Sequence, residues 1–264
     1  MPGSRLDHRR QTDPAGRTYF GTAETRASAP LARFATDPGL ESVLQALADG
    51  FGRRYWWPAA SAFEVIVGAV LTQNTAWGNV ELALANLRAA RALEPRALLA
   101  LPWGTSEAEV APGSLEALIG PSGAFRQKAR KLRAVTAWMQ SHSPNFDLGF
   151  LGAAPLEPLR DELLGVFGIG PETADSILCY AAGRRTAVVD TYTRRVLARH
   201  GLVPDAAKAK YEVLRNWLQA RLIDDPLVYE EFHALFVVAG YDHCKPTASC
   251  ETCPGAPVLE SLPL

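Results

Sequence analysis

The chain has 264 residues, with 27 basic against 28 acidic side chains and a formal net charge of −1. That length allows one large core or two modest ones, and the charge balance excludes a globally basic nucleic-acid coat, so any polyanion site has to be local. No apolar run reaches the length of a membrane span and the N-terminus lacks the apolar block of a signal peptide, which predicts a cytoplasmic protein with no membrane partner.

Residues 1–33 hold Arg5, His8, Arg9, Arg10, Arg17 and Arg26 among Gly, Pro, Ser and Thr, with little to bury, and are expected to form a disordered tail. From Pro38 onward apolar residues recur at helical spacing. Leu40, Val43, Leu44 and Leu47 fit one helix, and Phe63, Ile66, Val67, Val70 and Leu71 a second. Further helical patterns cover Val80–Leu93, Arg96–Ala100, Ser114–Leu118, Phe125–Met139, Leu159–Val166, Thr173–Ala181, Thr193–His200, Ala206–Leu222 and Pro226–Ala239. The best strand-like run is the short Thr186–Val189. The expected class is therefore all-α, with helices joined by short Gly/Pro turns.

Within that pattern, VFGIGPETADSILCYAAGRRTAVVDTYTRR (166–195) stands out. Gly168-Ile169-Gly170 reads as a tight turn between two helices. The glycines permit positive φ and close backbone approach, Ile169 can anchor the turn, and Pro171 suits the first turn of the next helix. A turn of this kind leaves N–H donors free at a helix N-terminus, where they bind a phosphate; it is equally the form of an ordinary helix–helix turn. Asp190 falls at or near the start of a further helix carrying Arg194, Arg195 and Arg199. It reads as an N-cap or as a catalytic carboxylate.

Cys244, Cys250 and Cys253 crowd together in CKPTASCETCPG, while Cys179 lies alone in an apolar segment and reads as a core residue. The C-x-x-C portion with a third cysteine upstream has metal-ligand spacing.

GIGPETADSILCYA followed by VVDTYTRRVLARHGL resembles the helix–hairpin–helix and aspartate signature of the endonuclease III superfamily of DNA glycosylases. Upstream, Tyr55-Trp56-Trp57-Pro58, Phe63-Glu64-Val65, Gly68-Ala69-Val70-Leu71-Thr72-Gln73-Asn74-Thr75, Pro121-Ser122-Gly123 and Gln127-Lys128-Ala129 resemble its 3-methyladenine DNA glycosylase III branch. The resemblance implies two helical domains with a DNA-binding cleft between them: a six-helix barrel with the hairpin at 61–184, and a domain from 34–60 and 185–264 bearing the cysteine loop. It implies Asp190 as the catalytic carboxylate, with Gly168, Ile169, Gly170, Thr173, Gln73, Arg194 and Arg195 as DNA contacts. Gln73 matches the residue inserted into the gap left by a flipped base. Trp57, Pro58 and Trp77 would form the base pocket, where aromatic faces attract a cationic methylated purine.

Bifunctional relatives carry a lysine two residues after the last hairpin glycine, and that catalytic position is Glu172 here. A carboxylate cannot form an imine, so abasic-site cleavage is expected to be weak or absent. The cysteine loop resembles a [4Fe–4S] loop without its fourth cysteine: it would hold a cluster with a noncysteine ligand such as His243, hold zinc, or be empty. The leading expectation is a monomeric, monofunctional base-excision repair glycosylase, nucleoid-associated, acting on alkylated purines in damaged double-stranded DNA. The alternatives are an endonuclease III-type enzyme for oxidised pyrimidines and a noncatalytic damaged-DNA-binding protein.

Overall fold

The computed structural model describes residues 10–12, 18–20, 31–54, 56–102 and 110–256. Tyr55 and most of the expected tail lie outside them. Within the tail, β1 (Arg10–Thr12) pairs antiparallel with β2 (Thr18–Phe20), Arg10 opposite Phe20. Thr, Tyr and Phe favour that extended pairing, a local departure from a structureless tail. No described helix is long and apolar enough to cross a membrane.

The described residues otherwise form an all-α protein in two compact units. One is built around Trp57–Ala182, and the other joins the segment ending at Trp56 to residues from Gly183 onward.

The first unit centres on α2 (Ala62–Leu71), buried continuously from Phe63 to Leu71. Ser61 caps it by accepting the Glu64 N–H at 3.2 Å, and Glu64 reaches back to the Ala60 N–H at 2.9 Å while taking a salt bridge from Arg88. This reciprocal arrangement satisfies donors that a helix start leaves open. Around it lie α3 (Trp77–Ala89), α4 (Pro95–Ala100), α5 (Leu115–Leu118), α6 (Phe125–His142), α7 (Gly149–Ala153), α8 (Leu156–Gly165) and α9 (Pro171–Ser176). The short α7 has no counterpart in the sequence pattern, since GFLGA presents too few apolar positions to set a period. After α9 the chain widens into a π turn, Ile177–Ala181, whose residues are all buried.

The second unit holds α1 (Pro38–Phe51), α10 (Thr191–Arg199), α11 (Tyr211–Gln219) and α12 (Pro226–Asp242). Leu40, Val43, Leu44 and Leu47 of α1 are the buried face, as the helical period predicts. Asp37 caps α1 through Leu40 N at 2.9 Å, and Asp225 caps α12 through Leu227 N at 3.0 Å. Thr186–Val189 is buried, yet it pairs with no strand among the described residues. Gln219 Oε1 accepts the Ala187 N–H and Tyr211 Oη the Val189 N–H, so side chains take the place of a ladder.

Candidate functional site

The hairpin joins α8 to α9. Gly168 has φ +78°, whereas Gly170 caps α9 at φ −93°, so only the first glycine needs the left-handed region. Ile169 is 4% exposed and anchors the turn. Arg160 of α8 makes a two-pronged ion pair with Asp175 of α9, both bonds 2.9 Å and buried, which clamps the helices behind the turn. Glu172 lies exposed in the first turn of α9.

Gln73 is tied to this hairpin. Its Nε2 donates to Gly168 O at 3.1 Å and to Thr173 Oγ1 at 2.9 Å, and its Oε1 accepts from Lys131 Nζ at 2.5 Å. The stem of Lys131 lies where a Cβ on Gly168 would fall, a second reason for glycine there. Gln73 and Thr173, both expected at DNA, are thus joined to each other and brace the turn. Its neighbour Asn74, at φ +52°, is exposed. Lys128 fixes the base of the loop, donating to Leu71 O at 2.8 Å, Thr75 Oγ1 at 2.5 Å and Ser122 O at 2.7 Å. Burial, with Lys131 adding, pushes its pKa down to about 8.

Trp57 is 4% exposed and is a core residue. It meets Trp77 edge-on at 5.5 Å and Tyr180 at 5.3 Å, and its indole fills the space beside Gly68. The aromatic Tyr180 on the π turn reaches it from a distant part of the chain, so Trp57 sits in an aromatic cluster with Trp77. Trp77 and Pro58 are partly exposed.

Asp190 caps α10, its Oδ1 accepting the Thr193 N–H at 2.6 Å. His233 of α12 places Nε2 3.7 Å from Asp190 Oδ2, with side-chain exposures of 7% and 13%. Burial pulls the carboxyl upward, but His233 and the Thr193 donors outweigh it and hold its pKa below the ordinary value. The result is a carboxylate kept ionised where solvent is largely excluded. His233 was not singled out from sequence; the signal was a titratable ring inside a long apolar helix. Arg194 donates to the carbonyls of Ala206 and Ala209 at 3.1 and 2.6 Å, and Arg195 covers the Tyr192 ring at 5.0 Å, so both are partly engaged within the unit.

In the cysteine segment Cys244 and Cys253 are buried and Cys250 is exposed. His243 stacks on Phe51 at 5.7 Å and approaches Ser249 O at 3.3 Å. A Cβ on Gly50 would overlap the Pro254 ring, so the C-x-x-C turn closes on α1 by apolar contact. Among the described residues no three His, Cys, Asp or Glu side chains converge to hold a metal ion. No step of the chemistry is routed through a metal.

Residues 67–219 match the model of the HhH-GPD superfamily base excision DNA repair proteins. A protein of Methanocaldococcus jannaschii named as a DNA repair glycosylase, MJ1434, is 38% identical over 212 residues, 80% of this chain and 91% of that protein. Endonuclease III of Sulfolobus acidocaldarius is 27% identical over 133 residues, 50% of this chain and 55% of its own. The crystal structure of H. pylori 3-methyladenine DNA glycosylase (MagIII) bound to 1,N6-ethenoadenine superposes with a TM-score of 0.63 at 26% identity, covering 77% of this chain and 97% of that one. A noncovalent endonuclease III–DNA complex shares the fold, with a TM-score of 0.64 at 24% identity over 81% of this chain and 91% of the other. With the matched region spanning the hairpin, Asp190 and most of the helices between α2 and α11, the chain belongs to the HhH-GPD superfamily of base excision DNA repair proteins.

Proposed function

We propose that the chain is a monofunctional DNA N-glycosylase that flips an alkylated purine of the 3-methyladenine type out of double-stranded DNA and excises it with Asp190. The observation that carries this reading is the largely buried, ionised Asp190 carboxylate. Such a charge offsets the positive charge that develops on an oxocarbenium-like sugar, and it can accept a proton from attacking water. N-methylation weakens the glycosidic bond of the purine, so the departing base needs little acid assistance. The partly exposed Trp77 supports a cationic base, through the attraction of an aromatic face for positive charge.

Glu172, in the position where lyases carry their lysine, supports hydrolysis over imine chemistry. The likeness to a 3-methyladenine DNA glycosylase structure supports the substrate class. Gly168 and Gly170 would meet the DNA backbone, and one flipped nucleotide per active site calls for no second copy of the chain. A second reading, excision of oxidised pyrimidines, is favoured by the similarity to Endonuclease III of Sulfolobus acidocaldarius.

A panel of single-lesion duplexes, developed with and without alkali, tests this directly. We expect free 3-methyladenine, strand breaks only after alkali, and no borohydride-trapped complex with abasic DNA. Trapping at the level of a lysine-bearing relative, or release confined to oxidised pyrimidines, would overturn it.

A further inference from the structure

Four of the five Lys and Arg side chains of α6 (Phe125–His142) divide into two sets. Lys128 and Arg133 are buried, the first bonded as above and the second to the carbonyls of Leu99, Leu101 and Pro102 at 2.8–3.2 Å. These hold the unit together. Arg126 and Arg130 are exposed, and among the described residues neither is paired with a carboxylate. They sit one turn apart on the same face, where like charges repel and an anion would relieve the repulsion.

Both guanidinium groups are held over aromatic rings, which limits the freedom they lose on binding. Arg126 lies 5.0 Å from the Phe125 ring centre, and Arg130 lies 4.9 Å from that of Phe167. Phe167 directly precedes Gly168 and is 49% exposed. The next residue of α6, Lys131, lies along Gly168 and bonds Gln73. Two consecutive side chains of α6 thus attach to two consecutive residues of the hairpin.

We infer that Arg126 and Arg130 form a phosphate-binding rail that extends the hairpin's contact to neighbouring phosphates of the same DNA strand. The partner is DNA because the rail is continuous with the hairpin, and in this the inference rests on the glycosylase reading. The two residues are about 6 Å apart along the helix axis, close to the spacing between adjacent phosphates of one DNA strand. The rail carries no base specificity, since phosphate contacts position a duplex without reading it.

The test is equilibrium binding of an undamaged duplex across a salt series, with base release measured in parallel. The proteins compared are wild type, Arg126→Ala/Arg130→Ala and Arg126→Lys/Arg130→Lys. Each phosphate contact contributes about 0.9 to the slope of log Kobs against log salt, so the alanine pair should flatten the slope by about 1.8 and the lysine pair should keep it. An unchanged slope in the folded alanine variant, alongside normal base release by wild type, overturns the rail alone. A wild type that neither binds duplex nor releases a base overturns the rail and the glycosylase reading together.

Discussion

His233 Nε2 stands 3.7 Å from Asp190 Oδ2, while Asp190 Oδ1 accepts the Thr193 N–H at 2.6 Å. One carboxylate therefore performs two tasks with different oxygens: Oδ1 starts α10, and Oδ2 faces the imidazole. The two tasks separate by substitution.

Asparagine caps a helix about as well as aspartate, so Asp190→Asn should change stability by less than about 1 kcal/mol. It removes the negative charge, and base release should fall roughly 10²- to 10⁴-fold. Single-turnover excision together with a melting curve checks both. A variant that keeps near-wild-type excision would remove Asp190 from the chemistry.

The pH dependence follows from the direction of the Asp190 shift. Its folded pKa lies below the unfolded value of about 3.9, because His233 and Thr193 outweigh burial. The group contributes its stability in full above the unfolded value and loses it as pH falls through the folded one. Excision should thus show no Asp190 limb between about pH 8 and pH 5. In His233→Phe burial acts with less opposition, and the acid limb should move upward into the measurable range. A pH–rate profile that does not move would show that His233 has no electrostatic hold on the carboxylate.

Gly168→Ala meets both a positive φ and the Lys131 stem, and should destabilise the protein by about 1–3 kcal/mol. Gln73→Ala removes the donor to Gly168 O and Thr173 Oγ1 and should cost about 1–2 kcal/mol. Since the two sites share Lys131 and are in contact, the double variant should lose less than the sum. Urea unfolding of the set measures this, and strict additivity would show that the Gln73 bridge is not energetically coupled to the turn.

Thiol labelling reads the cysteine segment. Exposed Cys250 should react first, Cys244 should be protected by burial, and Cys253 is protected both by burial and by a thiol pKa raised by burial with Cys244 and Cys250 nearby. Alkylation followed by peptide mass analysis gives the order. Equal protection of all three, lifted by a chelator, would show that the loop closes on a metal after all.

Much of the fold was legible because its determinants are local. The α1 face of Leu40, Val43, Leu44 and Leu47 follows from a 3.6-residue period, and Asp190 announces the start of α10 because a cap bonds an N–H three residues on. Thr186–Val189, the best strand-like run, is left open by the sequence for the complementary reason. Its apolar, β-branched pattern describes a buried segment, and whether a partner strand or the side chains of Gln219 and Tyr211 take its N–H groups is decided elsewhere in the chain.

The site divides along the same line. By itself the sequence determined the helical class, the Gly168 turn, the helix that Asp190 caps and the carboxylate at position 172. Only the tertiary structure decided that Trp57 is packed by Tyr180 and Trp77, that Gln73 is spent on the hairpin with Lys131, and that His233 meets Asp190. Turns, caps and helical faces are set by residues within a few positions of one another, whereas these encounters join residues far apart in the chain, and they exist only once helix packing has brought their elements together.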